Sequence, residues 1–469
     1  MLTDEKISVV GLGKLGMPLA TSIAYGGLKV VGIDIDQNVI DRIQDPNWEP
    51  NEPELVEMYK KSSKMLKLTT DFSEIKNTTT TFIIVPTPSG KDGKFSNQFI
   101  LDALDNICPN INPDHTHMIV VVSTVMPGSM NNVIIPHIDK LMDGAVQKLK
   151  VEVCYNPEFI ALGQVMNDLM YPGQIMIGSL TSASFMRLLE IYDTILPLQS
   201  YQSTPLSFTE AEIAKIHINS LLTTKITYAN ILSSLCERYP DVNIDNVTRV
   251  IGFDPRISEK YLKGGLGYGG PCFPRDNIAV SALYQELRVY NSNLPLAIDE
   301  FNRNIPATVS TTVQKMHQSM LPDLPKSEVL VGFYGIAYKE NTTVLEESQV
   351  IETIEYLLKR GYRVAGYQPG VKVEDVRKAL VNVNIFKPVQ NPEHFVMYDD
   401  FDDMLYHSQI AVVAHRKMIQ SDYMYNALHG INNAQLKVLD CWRQLPKGNN
   451  VVQMGMYNAV RRTILKYDD

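Results

Sequence analysis

One stretch of the chain gathers the residue types that do covalent chemistry. Gly264, Gly265, Gly267, Gly269 and Gly270 put five glycines in seven positions, and Cys272 follows after a single proline. Arg275 and Asp276 lie within four residues of that thiol. Residues without a β-carbon let a ligand come close to the backbone. A thiol beside a fixed positive charge is a candidate low-pKa nucleophile. The competing reading is a glycine-rich surface turn carrying a buried structural cysteine. The glycine content and the adjacent charges favour the nucleophile.

A second stretch is suited to holding phosphates. Gly11-Leu12-Gly13-Lys14-Leu15-Gly16 follows a short apolar run from Ile7 and precedes a helical pattern from Met17 to Tyr25. Gly26-Gly27 stops that helix, and the next apolar run, from Lys29, ends in Asp34. Strand, G-x-G-x-x-G, helix, strand and acid form the dinucleotide-binding unit of the Rossmann type. The first glycines permit the turn and a close pyrophosphate, and the third lets helix pack on strand. The helix N-terminus offers free N–H groups to the phosphates. A carboxylate at Asp34 accepts from ribose hydroxyls and repels a 2′-phosphate, which predicts NAD rather than NADP.

Other candidates sit at predicted strand ends, where ligands of open α/β sheets collect. Thr81–Val85 runs into Pro86-Thr87-Pro88, and Met118–Val122 runs into Ser123-Thr124. The two hydroxyls at Ser123 and Thr124 are either caps or ligand contacts. Val151–Tyr155 leads to Asn156-Pro157-Glu158, where the proline forces Asn156 out of the helical region. Glu158 is then either an inward base or water-holder, or a solvated loop acid. From Thr209 to about Tyr239 neither proline nor glycine occurs, and Thr209-Glu210-Ala211-Glu212 reads as a capping box opening one long helix. Lys215, Asn219 and Thr223 recur every four residues on one face. That stripe is either solvated or, with its cation and amide, able to polarise a carbonyl oxygen.

The elements that must position these groups fall into two α/β patterns. The second begins with a strand at Val329–Gly335 and continues with a helix from Ser348 to Arg360 and a strand at Arg363–Tyr367. Further strands are expected at Ile410–Ala414 and Lys437–Asp440, and no G-x-G-x-x-G accompanies them. Between the patterns the helical signal loosens after Asn304, and Leu321–Lys326 reads as a linker. At 469 residues the chain exceeds a single core. The expected fold class is α/β: two Rossmann-like doubly wound domains joined by a long central helix and a helical dimerisation region. The expected divisions are 1–204, an NAD-binding domain; 205–318, a central helical and dimerisation domain with the cysteine loop; and 319–469, a second Rossmann-like domain taking a different nucleotide or none, for which the resemblance named below implies nucleotide-sugar (UDP) binding.

Composition excludes several classes. A formal charge of −9 argues against a nucleic-acid binder. The five cysteines (Cys108, Cys154, Cys236, Cys272, Cys441) are widely spaced and include no C-x-x-C, so reduced thiols are expected rather than a disulfide framework or a metal site. Met1-Leu2-Thr3-Asp4-Glu5-Lys6 is polar, and no run of about 18 apolar residues occurs. A cytoplasmic protein that neither enters nor spans a membrane is expected.

Taken together, these motifs resemble the UDP-glucose/GDP-mannose dehydrogenase family over essentially the whole chain. The resemblance rests on Gly11–Gly16, Ser123-Thr124-Val-Met-Pro127-Gly128, Asn156-Pro-Glu158-Phe159 and Glu212-Ile-Ala-Lys215-Ile-His-Ile-Asn219. It rests equally on Gly269-Gly270-Pro-Cys272-Phe-Pro-Arg275-Asp276 and Gly335-Ile-Ala-Tyr338-Lys339-Glu-Asn-Thr342. It implies four-electron oxidation of a nucleotide sugar's C6 alcohol to a carboxylate with two NAD. UDP-glucose giving UDP-glucuronate is the expected case, for use in polysaccharide precursor synthesis. A UDP-N-acetylhexosamine or GDP-mannose is the alternative substrate. By the same resemblance Asp276 and Lys215 assist deprotonation, and Cys272 carries a thiohemiacetal and then a thioester. Lys215 and Asn219 stabilise oxyanions, while Glu158 and Thr124 position water. The cofactor is met by Gly11, Leu12, Gly13, Lys14, Leu15, Gly16, Asp34, Thr87, Thr124, Glu158 and Arg275. The sugar nucleotide is met by Phe159, Ile160, Ala161, Leu162, Lys215, Asn219, Tyr261, Lys263, Gly269, Phe273, Tyr338 and Lys339. Arg256 is implied to reach a neighbouring subunit's substrate, which makes the active unit a homodimer or higher oligomer.

This chain departs from the family pattern at four places. Leu162 stands where a second glutamate precedes glycine, and Arg275 stands where the family has lysine. Glu346 replaces the arginine of an Asp-x-Arg-x-Ser pattern. Asp440-Cys441-Trp442-Arg443 matches Asp-Gly-Arg only loosely, leaving Arg443 as a candidate contact. A two-electron β-hydroxyacid dehydrogenase, which has no use for Cys272, and a binding protein without turnover are the competing function classes.

Overall fold

The computed structural model describes residues 5–50, 52–198, 200–290, 293–382, 394–416, 424–426 and 436–457. Met1–Asp4, part of the N-terminal stretch read above, lies outside them. The described chain forms two compact units, 1–218 and 219–469, and the division falls inside one helix, Phe208–Cys236.

Unit 1 is built on a sheet of eight described strands. These are β1 (Lys6–Val10), β2 (Lys29–Ile33), β3 (Leu66–Thr69), β4 (Thr80–Ile83), β5 (His117–Val121), β6 (Val151–Tyr155), β7 (Ile177–Ser179) and β8 (Pro205–Leu206). Their order is β3-β2-β1-β4-β5-β6-β7-β8, parallel except for the antiparallel β6–β7 pair. Crossover helices cover both faces, so the central strands are apolar on both sides: all five residues of β5 are buried. The order reverses between β1 and β4, which places a crevice outside their carboxyl ends. The helix Gly16–Tyr25 follows β1 as expected, buried along nearly its whole length.

Unit 2 combines helices with a second sheet. β9 (Leu330–Tyr334), β10 (Arg363–Tyr367), β11 (Phe395–Met397), β12 (Ile410–Val413), β13 (Lys437–Asp440) and β14 (Val451–Gln453) are all parallel, in the order β11-β10-β9-β12-β13-β14. Its reversal point lies between β9 and β12. The helix Gln349–Lys359 stops where expected, with Gly361 at φ +86°. The expected loosening after Asn304 does not occur: one helix runs Leu294–Met320, through Pro306. Ile305, Val309, Val313 and Met316 recur on one buried face of that helix. Burying that stripe outweighs the hydrogen bond lost at proline and the β-branched residues around it.

The capping box also differs from expectation. Ser207 and Glu210 form it: Ser207 N and Oγ donate to Glu210 Oε2 at 2.7 Å, and Glu210 N donates to Ser207 Oγ. Glu212, fully buried, instead accepts from Gly128 N (2.6 Å) and Met130 N (2.7 Å) in the loop after β5.

Candidate active site

In unit 1 the glycine loop follows β1 into the crevice. Gly11 has φ +94°, and a β-carbon there would lie 2.5 Å from Ile84 O at the end of β4. A β-carbon at Gly16 would collide with Gly11 O, so the helix can start this close to the strand only with glycine. At Gly13 the opposite holds, because the space a β-carbon would occupy is open. That open cradle beside free N–H groups fits a dinucleotide pyrophosphate. Asp34 stands at the end of β2, where its Oδ2 accepts from Leu12 N at 2.7 Å and its Oδ1 accepts from Asp36 N. The acid is thereby aimed alongside the loop, as a ribose-binding carboxylate must be.

The other strand ends of unit 1 resolve the two hydroxyls. Ser123 Oγ donates to Val85 O (2.7 Å) and accepts from Val85 N (2.9 Å), which makes it a strap between strand ends. Thr87 donates to Thr124 O at 2.8 Å and leaves the Thr124 side chain partly exposed. Glu158 accepts from Tyr192 Oη at 3.0 Å, and Tyr192 Oη also reaches Asn156 Oδ1 at 2.5 Å. Burial pushes the Glu158 carboxyl above its ordinary range, opposed by Tyr192 and by the charge of Lys215. Lys215 is buried, donates from Nζ to Glu158 O, and lies 4.4 Å from the centre of the Phe159 ring. A carboxyl whose pKa is raised by burial, beside a buried lysine, is of the kind used for proton transfer.

The segment Phe159–Leu162 is held by two acids that the sequence alone did not single out. Asp168 accepts from Ala161 N at 2.9 Å, and Glu52 accepts from Gly163 N at 2.7 Å and from Val165 N. Leu162 packs against the unit 1 core, where an ionised glutamate would be desolvated.

In unit 2 the thiol stands apart from its counterparts. Cys272 is exposed, while Cys108, Cys154, Cys236 and Cys441 are buried and none of the five is in a disulfide. Burial raises Cys108 to about 12 and also pushes up Cys154, Cys236 and Cys441. Cys272 occupies the N-cap of the helix Phe273–Glu286, where backbone N–H groups and the helix dipole favour a thiolate. One turn along, Asp276 is 1% exposed; its N donates to Cys272 O at 2.8 Å and its Oδ2 accepts from Asn219 Nδ2 at 2.7 Å. Arg275 Nε lies 3.6 Å from Asp276 Oδ1. Thr223, the third residue of the predicted stripe, bonds Asn277 instead, so it braces two helices.

The glycines before Cys272 are not there to admit a ligand, contrary to expectation. A β-carbon at Gly265 would run into the Trp442 indole, and one at Gly269 into Glu347 O. The loop is walled by the protein itself, with Gly270 N donating to Glu346 O at 3.1 Å. Tyr338 packs against Gly269 and Gly270, with Lys339 Nζ 5.7 Å from its ring centre. Phe273 lies edge-on between Tyr261 (6.4 Å) and Tyr268 (6.1 Å). Glu346, the charge reversal noted above, exposes its side chain and uses its backbone carbonyl to hold the loop. Lys263 is exposed, and Arg256 is 86% exposed with its fork closed on Asp254 at 2.6–3.2 Å.

Arg443 proves to be a brace. Its side chain is 2% exposed and pairs with both oxygens of Asp245 at 2.7 and 2.9 Å. It also donates to Met454 O and, at 2.7 Å, to Gly264 O. The start of the cysteine loop is thereby tied to the end of β13. Among the described residues no group of three His, Cys, Asp or Glu is arranged to hold a metal. No described helix is long and apolar enough to cross a membrane.

Comparison with known proteins bears on all of these elements. Three family models match in succession. The NAD binding domain of the UDP-glucose/GDP-mannose dehydrogenase family matches residues 5–196, the central domain 209–304 and the UDP binding domain 332–444. The chain is similar to a UDP-glucose 6-dehydrogenase of Haloferax volcanii, with 32% identity over 387 residues, 81% of this chain and 86% of that one. It is 27% identical over 441 residues to a GDP-mannose 6-dehydrogenase of Pseudomonas savastanoi, covering 88% and 91%. A solved UDP-glucose dehydrogenase structure from Pyrobaculum islandicum superposes with a TM-score of 0.79 at 26% identity, covering 97% of both chains. With matching models over more than half its length and the glycine loop, helix and thiol in place, the chain belongs to the UDP-glucose/GDP-mannose dehydrogenase family.

Proposed function

We propose that this protein oxidises the C6 hydroxymethyl of UDP-glucose to the carboxylate, and that its domains divide the work as 1–204 for NAD, 205–318 for the thiol and subunit pairing, and 319–469 for the nucleotide. The observation that carries this reading is the single exposed thiol at a helix N-cap, one turn from a buried carboxylate bonded to Asn219. A two-electron dehydrogenase needs no such group.

NAD, when bound along Gly11–Gly16 and Asp34, supplies a hydride acceptor for both oxidations. Asp276 and Lys215 take the proton of the C6 hydroxyl through a water. Cys272 Sγ bonds the aldehyde carbon and keeps it on the protein through the second oxidation, as thiohemiacetal and then thioester. Lys215 Nζ and Asn219 Nδ2 offset the charge on the oxygen. Glu158 and Thr124 position the water whose oxygen replaces sulfur, releasing the carboxylate and restoring the thiol. The protein acts as a homodimer in the cytoplasm. Leu221, Tyr228, Ile231 and Leu235 support the pairing, being exposed on the long helix at heptad-like spacing. Arg256, exposed beyond that helix, reaches the substrate of the partner.

The test is NADH yield per UDP-glucose consumed, with GDP-mannose and UDP-N-acetylhexosamines in parallel. Two equivalents and a UDP-glucuronate product are expected, and Cys272→Ser makes no carboxylate while still binding NAD. One equivalent, or full turnover by Cys272→Ser, overturns the thioester route; turnover of another sugar alone overturns the substrate.

A further inference from the structure

The hydrogen bonds that hold Glu158 are one proton short. Tyr192, on the helix Ser182–Ile195 and buried, places its Oη 2.5 Å from Asn156 Oδ1 and 3.0 Å from Glu158 Oε1. Both neighbours are acceptors when Glu158 is ionised, and a phenol has a single proton to give. Asn156 cannot turn its amide round to help. It is 1% exposed, and its Nδ2 donates to Met176 O at 2.9 Å, which leaves the amide oxygen facing the phenol. Among the described residues nothing else donates to that oxygen.

The groups that face Glu158 come from three elements. They are Tyr192 on its helix, Lys215 on the long helix and the Phe159 N–H in the loop after β6. Burial acts most strongly on the carboxyl and raises it, while Lys215 and the Phe159 N–H favour the ionised form. Tyr192 favours the ionised form only while it donates to Glu158. With Asn156 holding the phenol's proton, Tyr192 can only accept from Glu158, and its effect reverses in sign. The phenol itself does not ionise near neutrality: burial, then the charge and the bond of Glu158, hold it well above its ordinary range, with Asn156 opposing.

We propose that Tyr192, its proton committed to Asn156, is a positioning residue that accepts the proton of Glu158 and keeps that carboxyl neutral at rest. This rests on the reading of Glu158 as the group that positions the hydrolytic water. Three groups then donate in one direction, Glu158 to Tyr192, Tyr192 to Asn156 and Asn156 to Met176 O, and each bond strengthens the next. Ionising Glu158 turns the phenol toward it and strands a buried amide oxygen. When the carboxylate takes a proton from water, the phenol turns back and Asn156 regains its donor. The relay thus makes Glu158 a stronger base for the step in which the water oxygen bonds the thioester carbon. In that step the C–S bond breaks and sulfur leaves with its electron pair.

Infrared titration of the full chain, without NAD or sugar, reads the relay directly. The neutral-carboxyl C=O band of Glu158 is isolated as the difference between wild type and Glu158→Gln, and it should persist above the ordinary 4.5. In Tyr192→Phe and in Asn156→Leu its midpoint should fall by about one pH unit, the worth of one buried hydrogen bond. The double variant should shift no further than either single one. With UDP-glucose and NAD, the acid limb of kcat should move down by the same interval while KM for the sugar nucleotide holds. A midpoint that rises in Tyr192→Phe shows the phenol donating to Glu158 and overturns the proposal. So does a wild-type band that vanishes at or below the ordinary value. An unmoved midpoint in Asn156→Leu overturns it too, and decides the matter if Tyr192→Phe does not fold. Shifted bands with an unmoved kcat profile overturn the link to hydrolysis. Bands that shift as expected in a protein making no carboxylate from UDP-glucose overturn the proposed reaction and leave the relay standing.

Discussion

Glu352 lies in the first turn of the helix Gln349–Lys359, which packs on the helix Leu294–Met320, and is 7% exposed. The cations nearby are engaged by other acids: Arg303 pairs with Asp299 at 2.7 Å and approaches Glu347 at 3.7 Å, and Lys359 pairs with Glu355 at 2.5 Å. Glu352 Oε2 is buried with no hydrogen-bond partner. Burial first, then the charge of Glu347, raises the Glu352 carboxyl from 4.5 to about 7; Arg303 opposes, and Glu355 and Asp299 add to the rise. The folded protein therefore keeps a proton on Glu352 that the unfolded chain loses. The associated stability is fully present below about pH 4.5 and is lost as pH rises through about 7. At about 1.4 kcal/mol per pKa unit the full swing is on the order of 3 kcal/mol. Glu352→Gln keeps the shape and removes the titration. The variant should match wild type near pH 5 and exceed it near pH 8 by up to that amount, read from urea midpoints. Because Glu346 O and Glu347 O abut Gly270 and Gly269, the alkaline wild type should also lose loop rigidity before the variant does. Parallel pH–stability curves for the two proteins between about pH 5 and 8 would refute the reasoning.

Two further outcomes follow from packing. Gly16→Ala puts a methyl into Gly11 O, so NAD affinity should fall by more than about tenfold, measured by fluorescence titration, while UDP binding is kept. Arg443→Ala strands Asp245 and frees Gly264 O; a loss of about 3 kcal/mol in urea unfolding is expected, and Arg443→Lys should recover less than half of it because it cannot form the bidentate fork.

What the chain announces about itself depends on distance along it. Gly11, Gly13, Gly16 and Asp34 belong to one local unit, and their spacing predicted the strand, loop, helix and strand that the structure shows there. The cysteine loop was misread as architecture: its glycines make room for Trp442 and Glu347, which come from far along the chain. Glu212 was taken for a cap because an acid at a helix start usually is one, yet its partners Gly128 and Met130 lie more than eighty residues away. The same holds for Glu52, Asp168 and Arg443, whose roles exist only once the chain has folded. The helix was expected to loosen after Asn304, since local propensity says nothing of the buried stripe that carries it through Pro306. Arg416 lies in none of the motifs read from the sequence, and it meets Trp442 only through adjacent parallel strands.

The seclusion of four sulfurs has a practical corollary. A water-borne alkylating reagent meets one target per chain, so the uptake of label counts competent centres in any preparation, before a substrate has been chosen. The same arrangement concentrates oxidative damage on the one thiol to which the proposed reaction assigns the sugar, and a reductant in the storage buffer protects that thiol without touching the fold.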